Sequence, residues 1–419
     1  MVSEKWQHKQ LGQLLKLRGG YAFKSEDFHE HGDVAVLRIS NIKNNGIDLE
    51  DAVYVDRNVA EQAKDYKLRE GNVVIAMSGA TTGKTAIVRK EDLPLVLNQR
   101  VGVFDIYNSE HLSEEYLAYV VQSSSFKNQI LVNAIGGAQP NISGKQIEDV
   151  EILLPPISEQ RKIAAILSSV DEAIEKTEAI IEQTEKVKKG LMQQLLTKGI
   201  GHTKFKKTEI GEIPEEWEIV QLQNVTNQIT DGTHKTPTYT ENGIPFLRVT
   251  DIQSEEIDFT KIKYISEREH KELIKRCKPE KGDVLLSKNG TIGLVKVINW
   301  DWEFSIFVSL CLIKVQKDKL LPEFLAYFLQ SDIALKQFRL RSKQGTVTNL
   351  HLIEIRELLC GLPSIEEQYK IVQILNSISK KISKETKKLE ILMTIKKGLM
   401  QALLTGKVRV KVDDEVMSQ

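Results

Sequence analysis

KKGLMQQLLT, from Lys188 to Thr197, returns as KKGLMQALLT from Lys396 to Thr405, 208 residues later in a chain of 419. Laying one stretch on the other also aligns Leu154-Pro155, Glu159-Gln160 and Lys162-Ile163 with Leu362-Pro363, Glu367-Gln368 and Lys370-Ile371, without a gap. The match reaches upstream, where YLAYVVQS (Tyr116 to Ser123) faces FLAYFLQS (Phe324 to Ser331) and Asn141 faces Asn349. Further back, LRISNI from Leu37 pairs with LRVTDI from Leu247, and Trp6 with Leu11 pairs with Trp217 with Leu222. Two copies are too few for a solenoid, so the chain is a duplicated protein of two modules.

Each module ends in a long amphipathic helix. Ile163, Ile166, Leu167, Val170, Ile174, Ile181, Val187, Leu191 and Leu195 recur at spacings of three and four, with Glu and Lys on the other faces. The second stripe runs Ile371, Ile374, Leu375, Ile378, Ile382, Leu389, Leu392, Ile395, Leu399 and Leu403. Pro155 and Pro156 precede the first helix, Ser364 with Glu367 offers a capping box to the second, and Gly199, Gly201 and Gly406 mark the exits. Some forty residues at about 1.5 Å each give a rod of roughly 60 Å, too long for a small domain to bury its stripe. The two rods are therefore expected to pair, antiparallel, as a coiled coil that relates the modules by a pseudo-two-fold axis. An ordinary pair of core helices is the plainer alternative.

The segments before the helices read as strand-rich and mixed. VAVLRI (Val34 to Ile39), NVVIAM (Asn72 to Met77) and DVLLS (Asp283 to Ser287) are β-branched runs bounded by turn residues. One helix is expected in each, near Tyr116 to Ile130 and Glu323 to Phe338. The fold class is α+β, and the chain divides into a globular domain over 1–155, a long helix over 156–200, a second domain over 201–362, a second long helix over 363–407 and a polar tail over 408–419.

Lys plus Arg and Asp plus Glu are equal at 58 each, so any surface for nucleic acid must be local. The three cysteines, Cys277, Cys311 and Cys360, have neither metal-knuckle spacing nor the even number of a disulfide framework, which fits a reducing compartment. MVSEKWQHKQ lacks the apolar core of a signal peptide, and no run of about 18 apolar residues is present, so a soluble cytoplasmic protein is expected. The eight histidines show no metal spacing, and no nucleophile elbow, Gly-rich cofactor turn or magnesium-holding carboxylate cluster stands out. No catalytic or metal-ligating residue is assigned.

SGATTGKT, from Ser78 to Thr85, imitates a phosphate-binding P-loop. That loop needs a glycine four residues before its Gly-Lys pair, where Ser78 stands, and a helix after it, where TAIVRK reads as a strand. The counterpart SKNGTIGLVKV, from Ser287, keeps Gly290 and Gly293 but has Leu294 in place of Lys84. A turn between two strands is the favoured reading. A nucleotide-dependent enzyme resting on Gly83-Lys84-Thr85 stays open as a second, and a coiled-coil scaffold without a DNA role as a third.

LPPISEQ (Leu154 to Gln160), LPSIEEQ (Leu362 to Gln368), the KKGLMQ tails and TEIGEIPEEWEIVQL (Thr208 to Leu222) resemble the specificity subunits of type I restriction-modification systems. The resemblance covers nearly the whole chain, although the first half lacks the Gly-Glu-Ile-Pro lead-in. It implies that each globular segment is a target-recognition domain for one half of a bipartite site in double-stranded DNA. The helices would set the spacing and dock two methyltransferase subunits, with restriction-translocase subunits in the full complex. S-adenosylmethionine, ATP and magnesium are expected in those partners and not in this chain, which would be non-catalytic.

The duplication then sorts the candidate DNA contacts, because the halves of a split target differ. Shared Arg38 and Arg248, beside Asn41 and Asp251, suit phosphate but equally a structural salt bridge. The loops that differ carry Lys43, Asn44 and Asn45 in the first half and Thr233, His234 and Lys235 in the second, side chains suited to base edges. Arg339, Arg341 and Lys343 form a basic run suited to backbone contact, against Lys127 alone in the first half.

Overall fold

The computed structural model describes residues 6–43, 46–133, 141–254, 256–341 and 349–411. It divides into two compact units, Met1–Glu178 with Lys387–Gln419, and Ala179–Thr386.

In the first unit β1 (Leu15–Gly19), β7 (Val101–Ile106), β4 (Val73–Ala76) and β5 (Thr85–Ile87) form an antiparallel sheet in that order. A smaller sheet sets β3 (Val53–Val55) antiparallel to β2 (Val34–Leu37), and β2 parallel to β6 (Leu95–Leu97). The second unit repeats both. Its large sheet runs β8 (Thr226–Asp231), β14 (Leu310–Val315), β11 (Val284–Ser287), β12 (Val295–Val297). Its smaller one runs β10 (Lys263–Ile265), β9 (Ile244–Leu247), β13 (Ser305–Ile306), with Tyr239–Thr240 added at the β10 edge. The β-branched runs fall on β2, β4 and β11, where both faces are covered: Val73 through Ala76 and Val284 through Leu286 are all buried.

At each place where the sequence predicts one helix, near Tyr116 to Ile130 and Glu323 to Phe338, the structure has two. These are α1 (Glu114–Gln122) and α2 (Ser124–Asn133), then α4 (Pro322–Gln330) and α5 (Asp332–Arg341) in the second unit. The apolar rhythm runs through the break, which hides it. Ser123 and Ser331 take extended backbone angles, and their hydroxyls accept from the amides of Phe126 at 3.2 Å and Ala334 at 3.4 Å, so each serine ends one helix and caps the next.

The long helices are α3 (Ile157–Lys198, 42 residues) and α6 (Ile365–Leu404, 40 residues). In the first unit, Ile163, Ala164 and Leu167 from the start of α3 share a core with Leu399, Met400, Leu403 and Leu404 from the end of α6. In the second, Leu191, Met192, Leu195 and Leu196 from the end of α3 share a core with Ile371, Val372 and Leu375 from the start of α6. Start meets end both times, so the helices run antiparallel, as the stripes predict.

Each helix start is fastened by a buried glutamine. The Gln160 carbonyl oxygen accepts from the Ser113 amide at 3.0 Å, and its amide nitrogen donates to the carbonyls of His111 and Pro155, both at 2.9 Å. Gln368 repeats the pattern on Leu321, Lys319 and Pro363 at 2.9, 2.8 and 2.9 Å. Both side chains are fully buried, so these bonds have no water to replace them. The neighbouring glutamate is buried in the first unit and half-buried in the second: Glu159 accepts from the Trp6 indole at 2.8 Å and from Arg409, and Glu367 accepts from the Trp217 indole at 3.0 Å and sits beside His202. The predicted capping box at Ser364 therefore forms by half. The Glu367 amide donates to the Ser364 hydroxyl at 3.3 Å, while the Glu367 carboxylate is taken by Trp217 and His202.

Replacing Gln368 by leucine leaves one amide and two carbonyls unpaired in the core, and the expected loss is roughly 2–4 kcal/mol. Urea unfolding followed by tryptophan fluorescence measures it; a wild-type midpoint would show that the fastening contributes nothing.

Candidate nucleic-acid interface

At the edge of the large sheet both units pass the chain so close to a neighbouring strand that no side chain fits. A Cβ on Gly20 would meet the Asn98 carbonyl oxygen at 2.2 Å, and one on Gly232 would meet that of Ile306 at 2.0 Å. The next residues, Tyr21 and Thr233, form equivalent parallel bridges to Asn98 and Phe307. That shared crossing aligns the units residue by residue at the ends of their sheets. Gly19 corresponds to Asp231, and Met77, whose amide donates to the Arg100 carbonyl, corresponds to Lys288, whose amide donates to Ser309.

The two differences belong together. The Asp231 carboxylate and the Lys288 ammonium lie 3.2 Å apart, with side chains 3% and 5% exposed. Arg276 joins the same carboxylate at 3.1 Å and donates to the Asp231 carbonyl at 2.8 Å and to that of Gly232. The exposed His234 ring places Nε2 3.2 Å from it. Burial pushes the Asp231 carboxyl up, but the bonds from Lys288, His234 and Arg276 outweigh it and hold the group below its ordinary value. One buried anion thus gathers three basic groups at the base of the loop that carries Thr233, His234 and Lys235. Thr233 shapes that loop, its hydroxyl accepting from the Lys235 amide at 3.2 Å and donating to the Lys235 carbonyl at 3.0 Å.

In the first unit the basic groups meet elsewhere. Lys43, Lys84 and Lys127 line one cleft of about 400 Å³ together with Thr82, Gly83 and Ile130. SGATTGKT is the turn between antiparallel β4 and β5, as expected, and three of its amides are spent in backbone bonds. Thr82 donates to Gly79, Gly83 to Ala76 and Lys84 to Thr81, at 3.1, 2.9 and 2.9 Å. A P-loop needs those amides free for phosphate.

The remaining sequence candidates scatter. Arg248 closes a two-pronged salt bridge on Asp251, both contacts at 3.0 Å, so its fork is occupied. Arg38 donates to the Asp51 carbonyl at 3.1 Å. Arg339 is exposed on α5, and Arg341 pairs with Glu357 at 3.2 Å. Asn44, Asn45 and Lys343 lie outside the described residues. Sequence reasoning missed Asp231, Arg276 and Lys288; the only signal was a charge pair appearing at two positions where the other half has Gly19 and Met77. In the sequence Lys84 stands out only through its likeness to a nucleotide-binding loop.

Among the described residues no group of His, Cys, Asp and Glu could hold a metal ion, and no helix is long and apolar enough to cross a membrane. The three thiols are buried, which pushes Cys277 up to about 12 and raises Cys311 and Cys360 as well, the reverse of what activates a nucleophile.

Asp231→Asn strands the buried Lys288 charge and is expected to destabilise the chain by roughly 3–5 kcal/mol. Because the folded carboxyl titrates below its unfolded value of 3.8, its contribution is complete above that pH and fades as acid reaches the lower folded value. The gap between the unfolding midpoints of wild type and Asp231→Asn should therefore be constant well above pH 3.8 and narrow as the pH falls below it. A gap that stayed constant in acid as well would contradict the ion cluster.

The profile of the type I restriction modification DNA specificity domain matches twice, over residues 3–186 and 214–393. The MjaVIII specificity subunit of Methanocaldococcus jannaschii is 30% identical, covering 83% of this chain and 81% of its own. The EcoBI specificity subunit of Escherichia coli is 25% identical over 89% of this chain and 79% of its own. The crystal structure of the S subunit of a type I restriction-modification system from M. genitalium shares the fold, with a TM-score of 0.60, 16% identity and 96% of each chain covered. The duplicated chain, with one specificity domain in each half, belongs to the family of type I restriction-modification DNA specificity subunits.

Proposed function

We propose that each unit reads one half of a bipartite DNA target, and that the paired helices set the spacing between the halves and dock two methyltransferase subunits. The observation that carries this reading is one fold used twice with different charged groups at the same place. Gly19 and Met77 in one unit stand where Asp231 and Lys288 stand in the other. A duplicated scaffold with divergent polar ends suits two half-sites of different sequence. A rod makes a stiff spacer: one helical turn is about 5.4 Å, more than one base-pair step of about 3.4 Å.

A specificity subunit chooses the DNA sequence and carries no bond chemistry of its own. Adenine methylation from S-adenosylmethionine, and cleavage driven by ATP with magnesium, fall to the methyltransferase and restriction-translocase partners in this proposal. The cytoplasm is where such a complex meets its DNA. A neutral chain is compatible with that role, because partners add phosphate contacts and binding at two half-sites together multiplies weak affinities.

Co-expression with its methyltransferase subunit, followed by methylome sequencing, is expected to show one motif of two unlike specified halves around an unspecified spacer. A single continuous motif would contradict the division between units.

A further inference from the structure

We propose that Lys43, Lys84 and Lys127 form a binding site for the DNA backbone phosphate, a grip that the first unit has and the second lacks. The proposal rests on the reading of this chain as a DNA reader and adds to it which residues hold the strand without reading its bases.

Three observations carry it. The first is charge without compensation. Lys84 and Lys127 pair with no carboxylate among the described residues, and Lys43 has only Asp48, at 3.8 Å. Three like charges lining one cleft repel one another, and an anion entering it relieves that repulsion. The second is the chemistry of the walls. With the Thr82, Gly83 and Lys84 amides engaged in backbone bonds, the charged groups that the cleft offers are ammonium groups, which act as unoriented point charges. That suits a phosphate diester running past the surface and not a nucleotide triphosphate, which needs a nest of free amides.

The third is the internal comparison. Backbone bonds place Leu294 where Lys84 stands, since Ala76 and Ser287 donate to their respective carbonyls, and Leu335 where Lys127 stands, since each donates to the serine that breaks its helix pair. In the second unit Leu335 reaches to within 3.1 Å of where a Cβ on Gly293 would lie, and it packs on the core. The same place is thus closed by leucine in one unit and lined by lysine in the other. A need of the fold would have kept one solution in both units, so the lysines of the first are free to serve a ligand.

The test uses the complete complex with its methyltransferase subunits and fluorescence-labelled duplexes, one carrying the motif found by methylome sequencing and one scrambled, titrated from 50 to 200 mM salt. Each lost phosphate contact makes the slope of log affinity against log salt shallower by about 0.9, so Lys84→Ala with Lys127→Ala is expected to flatten it by about two. The fall in affinity across that salt range then shrinks roughly tenfold, for motif and scrambled duplex alike. Lys84→Arg with Lys127→Arg should retain the wild-type slope, and a methylated second half-site shows that the complex has assembled. An unchanged slope would overturn the proposal, as would weakening confined to the motif duplex, which indicates base contact, or ATP binding that disappears with Lys84. A wild-type complex that does not distinguish the two duplexes would instead overturn the DNA-reading function and this proposal with it.

Discussion

The structure depends on the burial of a charged and polar pair at the start of each long helix. Glu159-Gln160 and Glu367-Gln368 are all 3% exposed or less, except Glu367 at 14%, and a buried polar side chain is tolerated only where its partners are in place. The glutamines satisfy the loop that leads into α1 or α4, and the glutamates hold a tryptophan from the first strand region of the same unit. Helix and globular segment are thereby locked in register. The other helix then ends in the same core, where each fully buried leucine contributes about 1.5–3 kcal/mol. Leu403 and Leu404 finish the first unit in this way, Leu195 and Leu196 the second. The first unit is thus closed by two separate runs of chain, Met1–Glu178 and Lys387–Gln419, and the second by the single run Ala179–Thr386.

On that common frame the two units differ in where they concentrate charge. The second buries Asp231 and uses it to gather Lys288, Arg276 and His234 at the base of one loop. The first has glycine and methionine at the corresponding positions and places its lysines around the β4–β5 turn instead. Gly20 and Gly232, where a Cβ would strike a carbonyl, keep the crossing strand fixed while the charges around it change. Charge can vary at the sheet ends because the crossing is held there by backbone bonds and not by side chains.

Long-range order was the legible part of the sequence. The gap-free repeat and the apolar stripes give two long helices too long for one small domain to bury, although Val187, Ile374 and Ile395 of those stripes stay exposed. Local breaks were not legible: Ser123 and Ser331 interrupt helices whose apolar rhythm carries straight on, and the Glu367 carboxylate turned from its cap to an indole 150 residues away in sequence. The charged cluster was beyond reach for the same reason. Asp231, Arg276 and Lys288 come from a strand end, a loop and a turn, and only the folded sheet brings them to one carboxylate. Lys43 and the Thr233 loop were visible because basic loop tips declare themselves one at a time.

The central claim is that each unit is a separate reader held by its own helix junction. The most direct measurement replaces residues 1–155, upstream of the first junction, with the corresponding segment of a relative that has a different target, and sequences the methylome. One half of the bipartite motif should change while the other half and the spacer length persist. Alteration of both halves, or of the spacing, would contradict the account.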